Sequence, residues 1–303
     1  MLHTPVLVRE VVEGLEVKPG GRYIDCTAGT AGHARALLDR SSPDGTLLGI
    51  DQDPAAVEIS RAILQGYGSR VTLIRDSFIR LEAIASEQDF VPADGVLLDL
   101  GLSSLQLEQA ERGFSFQEEG PLDMRMDPHS RVSAERLVNM LTEQELAEMI
   151  ARYGEEPKAR AVARAIVSHR PVGTTTQLAE IVARAVGRRG RLHPATRTFQ
   201  ALRIAVNAEL DALSTVLPQA VDVLHKGGRL AVISFHSLED RLVKRFIARE
   251  STDCICPPGM PACGCGHQRT LVTLTRKPIR PSPAESTENP RSRSAKLRIA
   301  MKM

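Results

Sequence analysis

The sequence predicts an α/β protein in which a doubly wound, mostly parallel sheet is interrupted by an all-helical domain. Three observations carry this expectation. Short apolar runs at 23–26, 46–50, 71–74 and 93–99 alternate with helical patterns, as parallel βαβ units require. Four helical patterns then follow between residues 133 and 186 with no strand signal among them. The strand–helix alternation afterwards resumes and closes on two runs, 270–275 and 296–303, joined by a Pro- and Ser-rich loop. The expected boundaries are a first sheet part at 1–108, a helical insertion at 109–197 and a second sheet part at 198–303.

Taken in order, His3 to Leu15 opens as a helix: Thr4 caps it, Pro5 takes the first position, and Val8, Val12 and Leu15 share a face. Tyr23 to Cys26 reads as the first strand, Thr27 to Gly32 as a tight small-residue turn, and Ala34, Leu37 and Leu38 as the helix that follows. Thr46 to Ile50 is a second strand running into Asp51, and Pro54 to Leu64 the next helix. Val71 to Ile74 is a third strand running into Asp76-Ser-Phe78, and Ala93 to Asp99 a fourth. A Gly- and Pro-punctuated loop spans Arg112 to Asp127. Helices are expected from Ser133 to Met140, Glu143 to Arg152, Lys158 to His169 and Gln177 to Val186. Thr142 and Glu145 have capping-box spacing, and Gly187 suits a helix end. A helix from Pro194, turning Phe199, Leu202, Val206 and Leu213 inward, returns the chain to the sheet. Lys226 to Ser234 supplies a turn and a fifth strand, and Leu238 opens another helix.

In such a sheet, ligands lie beyond the carboxyl ends of the strands, a rule that gathers Asp25, Asp51, Ser77, Phe78 and Asp99 on one edge. Gly29-x-x-Gly32 lacks the three-glycine dinucleotide fingerprint, and Asp25 would repel a pyrophosphate. A carboxylate before the turn suits a cationic ligand end instead, such as the amino and sulfonium groups of S-adenosylmethionine. Asp51, 18 residues beyond His33, is placed to accept hydrogen bonds from ribose hydroxyls. Phe78 is placed to lie on an adenine face, with Asp76 or Ser77 at the adenine edge. A sheet closed by an antiparallel strand is also, by analogy, the arrangement of most S-adenosylmethionine-dependent methyltransferases.

Asp99-Leu-Gly-Leu-Ser-Ser104 follows the fourth strand. An exocyclic base amine is a weak nucleophile because its lone pair is delocalised into the ring. Asp99 suits the acceptor that draws on its N–H as the nitrogen attacks, and Gly101 leaves room there. Asp99 equally suits cofactor binding. Leu-Gly-Leu stands where the familiar amino-methyltransferase signature has two prolines and an aromatic, so other groups must hold the base. In Ser234-Phe-His-Ser237, His236 is a candidate for orienting a base or accepting a proton, and Phe235 for stacking. No Gly-x-Ser-x-Gly elbow supports a hydrolase. Cys254-x-Cys256 and Cys263-x-Cys265, with His267 nearby, are spaced like a metal knuckle, but C-x-C pairs are tighter than the usual zinc pair. A reduced, metal-free loop stiffened by Pro257, Pro258 and Pro261 is the favoured reading; four thiolates holding zinc tetrahedrally, in a structural role, is the lesser alternative, and no metal ligand is assigned.

With 303 residues and 42% apolar content, the chain can bury a substantial core. It contains no apolar run of bilayer-spanning length and no signal-peptide pattern at its start, so a cytoplasmic location is expected. The crowding of four of five cysteines within 254–265 argues against a secreted disulfide framework. The overall charge of +2 hides an asymmetry: Arg269 to Met303 holds nine Lys or Arg against Glu285 and Glu288, a net +7 that leaves the remainder at −5. Arg188, Arg189, Arg191, His193 and Arg197 add a second basic cluster. Both are candidate phosphate contacts for a polyanion, weighed against ordinary solvated segments.

Several motifs together resemble the MraW family of ribosomal RNA small-subunit methyltransferases: Asp25-Cys-Thr-Ala-Gly-Thr-Ala-Gly-His33, Asp51-x-Asp53-Pro54, Asp99-Leu-Gly-Leu-Ser-Ser104, Leu122-Asp-Met-Arg-Met-Asp127, Ser234-Phe-His-Ser-Leu-Glu-Asp240 and Asn289-Pro-Arg-Ser-Arg-Ser294. The resemblance spans nearly the whole chain. It implies a Rossmann-like class I methyltransferase sheet and N4-methylation of a cytidine in the decoding centre of 16S rRNA, within the small ribosomal subunit. S-adenosyl-L-methionine would be the donor, and neither DNA nor membrane is an expected partner. It also implies cofactor contacts at Ala31, Gly32, His33, Asp51, Phe78, Asp99 and Gln106. Many relatives carry a glycine where Ala31 stands. The residues by themselves also admit a small-molecule methyltransferase with a helical lid, or a non-catalytic RNA-binding factor.

Overall fold

The computed structural model describes residues 5–187, 193–257, 260 and 263–303. His3 and Thr4, Arg188, Arg189 and Arg191, and Pro258 and Pro261 therefore lie outside the described residues. The chain forms two compact units, Met1–Gly101 with Ala212–Met303, and Leu102–Asp211.

The first unit is built on seven strands: β1 (Arg22–Asp25), β2 (Thr46–Asp51), β3 (Val71–Arg75), β4 (Ala93–Asp99), β5 (Leu224–Ser234), β6 (Leu271–Thr273) and β7 (Lys296–Lys302). Their order is β3-β2-β1-β4-β5-β7-β6. The first five run parallel, and β7 is antiparallel to both of its neighbours. This is the expected Rossmann-like sheet with a reversed strand near its end. Strand order reverses between β1 and β4, which opens a crevice past their carboxyl ends.

Side chains alternate between two cores, as the two-residue strand period demands. Tyr23, Leu47, Leu97, Ala231 and Leu297 enter one, where α1 (Val8–Gly14), α2 (Gly32–Arg40) and α3 (Pro54–Leu64) contribute Val11, Leu37 and Leu64. Ile24, Leu48, Val96, Val232 and Ala300 enter the other, which α4 (Leu81–Glu87) covers with Leu81 and Ile84.

The second unit contains α5 (Ser104–Glu108), α6 (Ala134–Met140), α7 (Glu143–Gly154), α8 (Ala159–Ser168), α9 (Thr175–Val186) and α10 (Thr196–Asn207) around a core of its own. The Thr142–Glu145 capping box forms, with Thr142 N–H donating to Glu145 Oε2 at 2.8 Å, and Gly187 closes α9 at φ 74°. α11 (Glu209–Asp222) and α12 (Ser237–Glu250) return to the second face of the sheet, and α13 (Pro283–Glu288) precedes β7. The helical unit begins earlier and ends later than the expected 109–197, because Phe199, Ala201, Leu202 and Val206 of α10 all bury within it.

Two expectations are corrected, and the charge of the basic tail is qualified. The first helix begins at Val8, and Pro5 stays outside it. Leu7 holds a left-handed φ of 54°, and Leu7, Val11 and Leu15 are the buried residues while Val8 and Val12 are half-buried. The segment is drawn toward α2, where a Cβ on Gly32 would stand 2.8 Å from Pro5. The helix from Pro194 is two helices broken at Ala208 (φ 49°). Asn207 is held to the 124–126 backbone by two bonds of 2.8 Å, and Leu213 beyond the break belongs to the sheet core instead. The basic tail, lastly, is partly neutralised within its own unit: Arg298 and Lys296 bind Asp240 at 2.7 and 3.1 Å, and Arg269 lies 3.4 Å from Asp253.

Candidate cofactor and active site

Asp25 ends β1, and its Oδ1 accepts the Thr27 N–H at 3.1 Å while its Oδ2 is buried with no partner. The turn that follows is tied to β2. Gly29 N–H donates to Asp51 Oδ2 at 2.8 Å, Asp53 N–H donates to Asp51 Oδ1 at 2.9 Å, and the Ser60 hydroxyl donates to the Gly29 carbonyl at 2.8 Å. Both Asp51 oxygens are thereby aimed, and each retains acceptor capacity. Ala31 sits at the N-cap of α2 with φ 63°, and Gly32 opens the helix, so backbone amides face the strand tips.

Asp99 ends β4, next to β1 in the sheet. Its N–H donates to the Thr27 hydroxyl at 2.7 Å, which stitches the two tips together. Its Oδ2 lies 3.4 Å from His33 Nδ1, and its Oδ1 is buried without a partner. His33 Nε2–H donates to the Val6 carbonyl at 2.8 Å, leaving Nδ1 of the neutral ring to face Asp99. Burial lowers the His33 pKa, against the pull of Asp25. Burial pushes the Asp99 carboxyl up to about 8, with Glu239 adding to the rise. Burial also raises Asp25 to about 6, opposed by His33 and the Thr27 N–H and reinforced by Asp99 and Asp51. Asp51 is raised by burial and held back by the amides of Asp53 and Gly29. The edge therefore gathers carboxyls that water stabilises poorly, two of them with an unused oxygen.

Phe78 follows β3 on the same edge, half-buried against the sheet core. The polar groups beside it are engaged locally: Asp76 accepts the Ser77 N–H at 2.7 Å and pairs with Arg80, and Ser77 caps the turn through Ile79. The expected reach of Asp76 or Ser77 toward an adenine edge thus competes with bonds already made. The room at Gly101 (φ 100°) is taken by the Phe235 ring, 3.1 Å from where a Cβ would stand. His236 is the N-cap of α12, half-buried, with its side chain 8% exposed. Its N–H donates to Glu239 Oε2 at 3.2 Å, its Nδ1 accepts the Glu239 N–H at 3.4 Å, and its Nε2 lies 3.1 Å from Glu239 Oε1. Gln106 lies in the helical unit, where it forms a capping box with Ser103 through two bonds of 3.2 Å.

Ala31, Gly32, His33, Asp51 and Asp99 accordingly meet at the β1–β2–β4 tips. Thr27 and Glu239 were not singled out from the sequence. Thr27 had a signal, a hydroxyl two residues past a strand-end aspartate, and His236-x-x-Glu239 had capping-box spacing with an unusual capping residue. In the described part of the basic cluster, His193 stacks at 4.7 Å on Phe116, and Arg197 lies 3.7 Å from Glu156.

The whole chain, residues 1–303, matches the MraW methylase family. Ribosomal RNA small subunit methyltransferase H of Thermomicrobium roseum is 56% identical over 302 residues, covering 98% of this chain and 93% of that one. The protein of the same name from Symbiobacterium thermophilum is 51% identical over 307 residues, covering 99% and 96%. A solved rRNA methylase from Streptococcus thermophilus is more distant, at 12% identity and a TM-score of 0.45 over 100% of this chain and 99% of that one.

Proposed function

The chain belongs to the MraW methylase family and is a 16S rRNA (cytosine-N4)-methyltransferase dependent on S-adenosylmethionine; on that premise we propose that the tips of β1, β2 and β4 hold the methyl donor and present the target amine to it. The base modified is cytidine 1402 of 16S rRNA. One observation supports this site above others: Asp25 Oδ2 and Asp99 Oδ1 are buried oxygens with no partner. Such atoms are costly unless a cation or an N–H donor meets them, and the donor and the amine bring both.

When bound, S-adenosylmethionine supplies an electrophilic methyl group on a positively charged sulfur. Asp25 holds the ammonium end, and Asp51, aimed by the Gly29 and Asp53 amides, receives the ribose hydroxyls. Ala31 and Gly32 contribute backbone at the start of α2, and Phe78 offers its ring to the adenine. Asp99 accepts an N–H of the cytosine amine, which returns lone-pair density to the nitrogen as it attacks. His33 Nδ1, 3.4 Å from the opposite oxygen, is an acceptor and meets that carboxyl favourably only in its protonated, ligand-free form. Gln106 is assigned to the cofactor on family resemblance. His236 is assigned to fixing the turn between β5 and α12, since its backbone N–H and its Nδ1 both bond Glu239, while its Nε2 lies 3.1 Å from Glu239 Oε1 without a hydrogen bond. The substrate is 16S rRNA within the small ribosomal subunit, which supports a cytoplasmic location. Among the described residues, no helix is long and apolar enough to cross a membrane.

The test is transfer from methyl-labelled donor to small subunits whose 16S rRNA lacks the modification, followed by digestion and nucleoside identification. Label in N4-methylated cytidine is expected. Label confined to another nucleoside, or none despite donor binding, overturns the reading.

A further inference from the structure

The connection between α12 and β6 differs from the rest of its unit. Among its described residues none is buried, and Ile255 and Met260 are 40% and 51% exposed. A segment with no apolar core needs another source of order. Its ends are tied down: Thr270 donates its N–H to the Glu250 carbonyl at 2.9 Å and its hydroxyl to the Glu250 carboxylate at 3.0 Å, and His267 Nε2 donates to the Arg249 carbonyl at 3.1 Å.

Between these anchors Cys254, Cys256, Cys263 and Cys265 converge, with all four sulfurs within 4.8 Å of one another. The Cys263–Cys265 sulfurs are 3.5 Å apart, and the Cys256–Cys263 and Cys254–Cys265 pairs are each 4.0 Å apart. Four thiolates set tetrahedrally about 2.3 Å from a zinc ion stand about 3.8 Å from one another, so the sulfurs already have the spacing of such a site. Packing does not explain the cluster, because unpaired cysteines are ordinarily buried and these are exposed or half-exposed. A soft, four-sulfur tetrahedral set selects zinc over hard cations.

We propose that Cys254, Cys256, Cys263 and Cys265 bind a zinc ion that orders the connection between α12 and β6. On loading, each thiol gives its proton to solvent as a Zn–S bond forms, and no electron changes hands. Four protein ligands leave no open position on the metal, so its role is structural. The site is separate from the carboxylate edge and does not depend on the assignment made there.

The experiment measures metal in the full-length protein purified under reducing conditions. About one equivalent of zinc per chain is expected, falling below ~0.1 in Cys254→Ser/Cys265→Ser. Because that variant could misfold, cobalt is also titrated into reduced, metal-free wild-type protein, where thiolate charge-transfer absorption and tetrahedral ligand-field bands are expected to saturate at about one equivalent. Absence of both zinc and the cobalt spectrum overturns the proposal. So does iron in place of zinc, or a mass showing disulfides among these cysteines after anaerobic purification.

Discussion

Asp99 stands under opposing demands: a buried carboxyl resists ionisation, whereas the ionised form is the stronger acceptor for an amine N–H. With its pKa pushed up to about 8, and Asp25 to about 6, the ligand-free edge carries protons near neutrality. A cation favours the ionised forms, so donor binding expels protons. Affinity for S-adenosylmethionine is therefore expected to rise from about pH 6 to about 8. S-adenosylhomocysteine, whose sulfur is uncharged, should gain less over the same interval. Calorimetry in buffers of different ionisation enthalpy checks this, and a ratio of the two affinities that is flat with pH would remove Asp99 from the sulfonium's surroundings. Stability carries the opposite sign. A carboxyl whose folded pKa lies above its ordinary 3.8 contributes stability that is complete below that value and is lost as pH rises through the folded pKa. Asp99→Asn cannot ionise, so in urea unfolding the ligand-free variant should lose less stability between about pH 4 and 8 than wild type. The same substitution should slow labelled-methyl transfer by about 100-fold or more.

Among the elements, α12 best separates a chemical role from a structural one. His236 caps that helix and Glu239 completes the capping box, an arrangement that a side-chain amide can imitate. His236→Asn is expected to keep wild-type turnover, whereas His236→Ala should lower the unfolding free energy by about 1 kcal/mol. Loss of turnover in the well-folded Asn variant would restore the imidazole to the chemistry. Element boundaries were legible where local rules act alone. Thr142-x-x-Glu145 opens α7, Pro54 opens α3 behind the Asp53 cap, and Gly187 ends α9. They were illegible where a distant contact intervenes. Pro5 has the sequence of a helix start but is drawn to Gly32, and α10 stops at Asn207 because its side chain serves the 124–126 backbone.

At the scale of the molecule, the helical unit has its own core, from Phe114 and Leu122 through Ile150 and Val162 to Leu202. A fragment spanning 102–211 is accordingly expected to be helical by circular dichroism and to melt cooperatively. A broad, non-cooperative melt would show that this core depends on the remainder of the chain. By itself, the sequence determined the alternation of strands and helices, the placing of Asp25, Asp51 and Asp99 at strand ends, the helical interruption and the family, because periodicity, turn chemistry and motif spacing are local properties. Only the tertiary structure decided that Thr27 joins the tips of β1 and β4, that His33 faces Asp99, that His236 is held in a cap, and that four cysteine sulfurs converge. Those relations connect residues through strand order and loop closure. The proton affinity of each carboxyl follows from how much water the assembled edge excludes, which no run of neighbouring residues encodes.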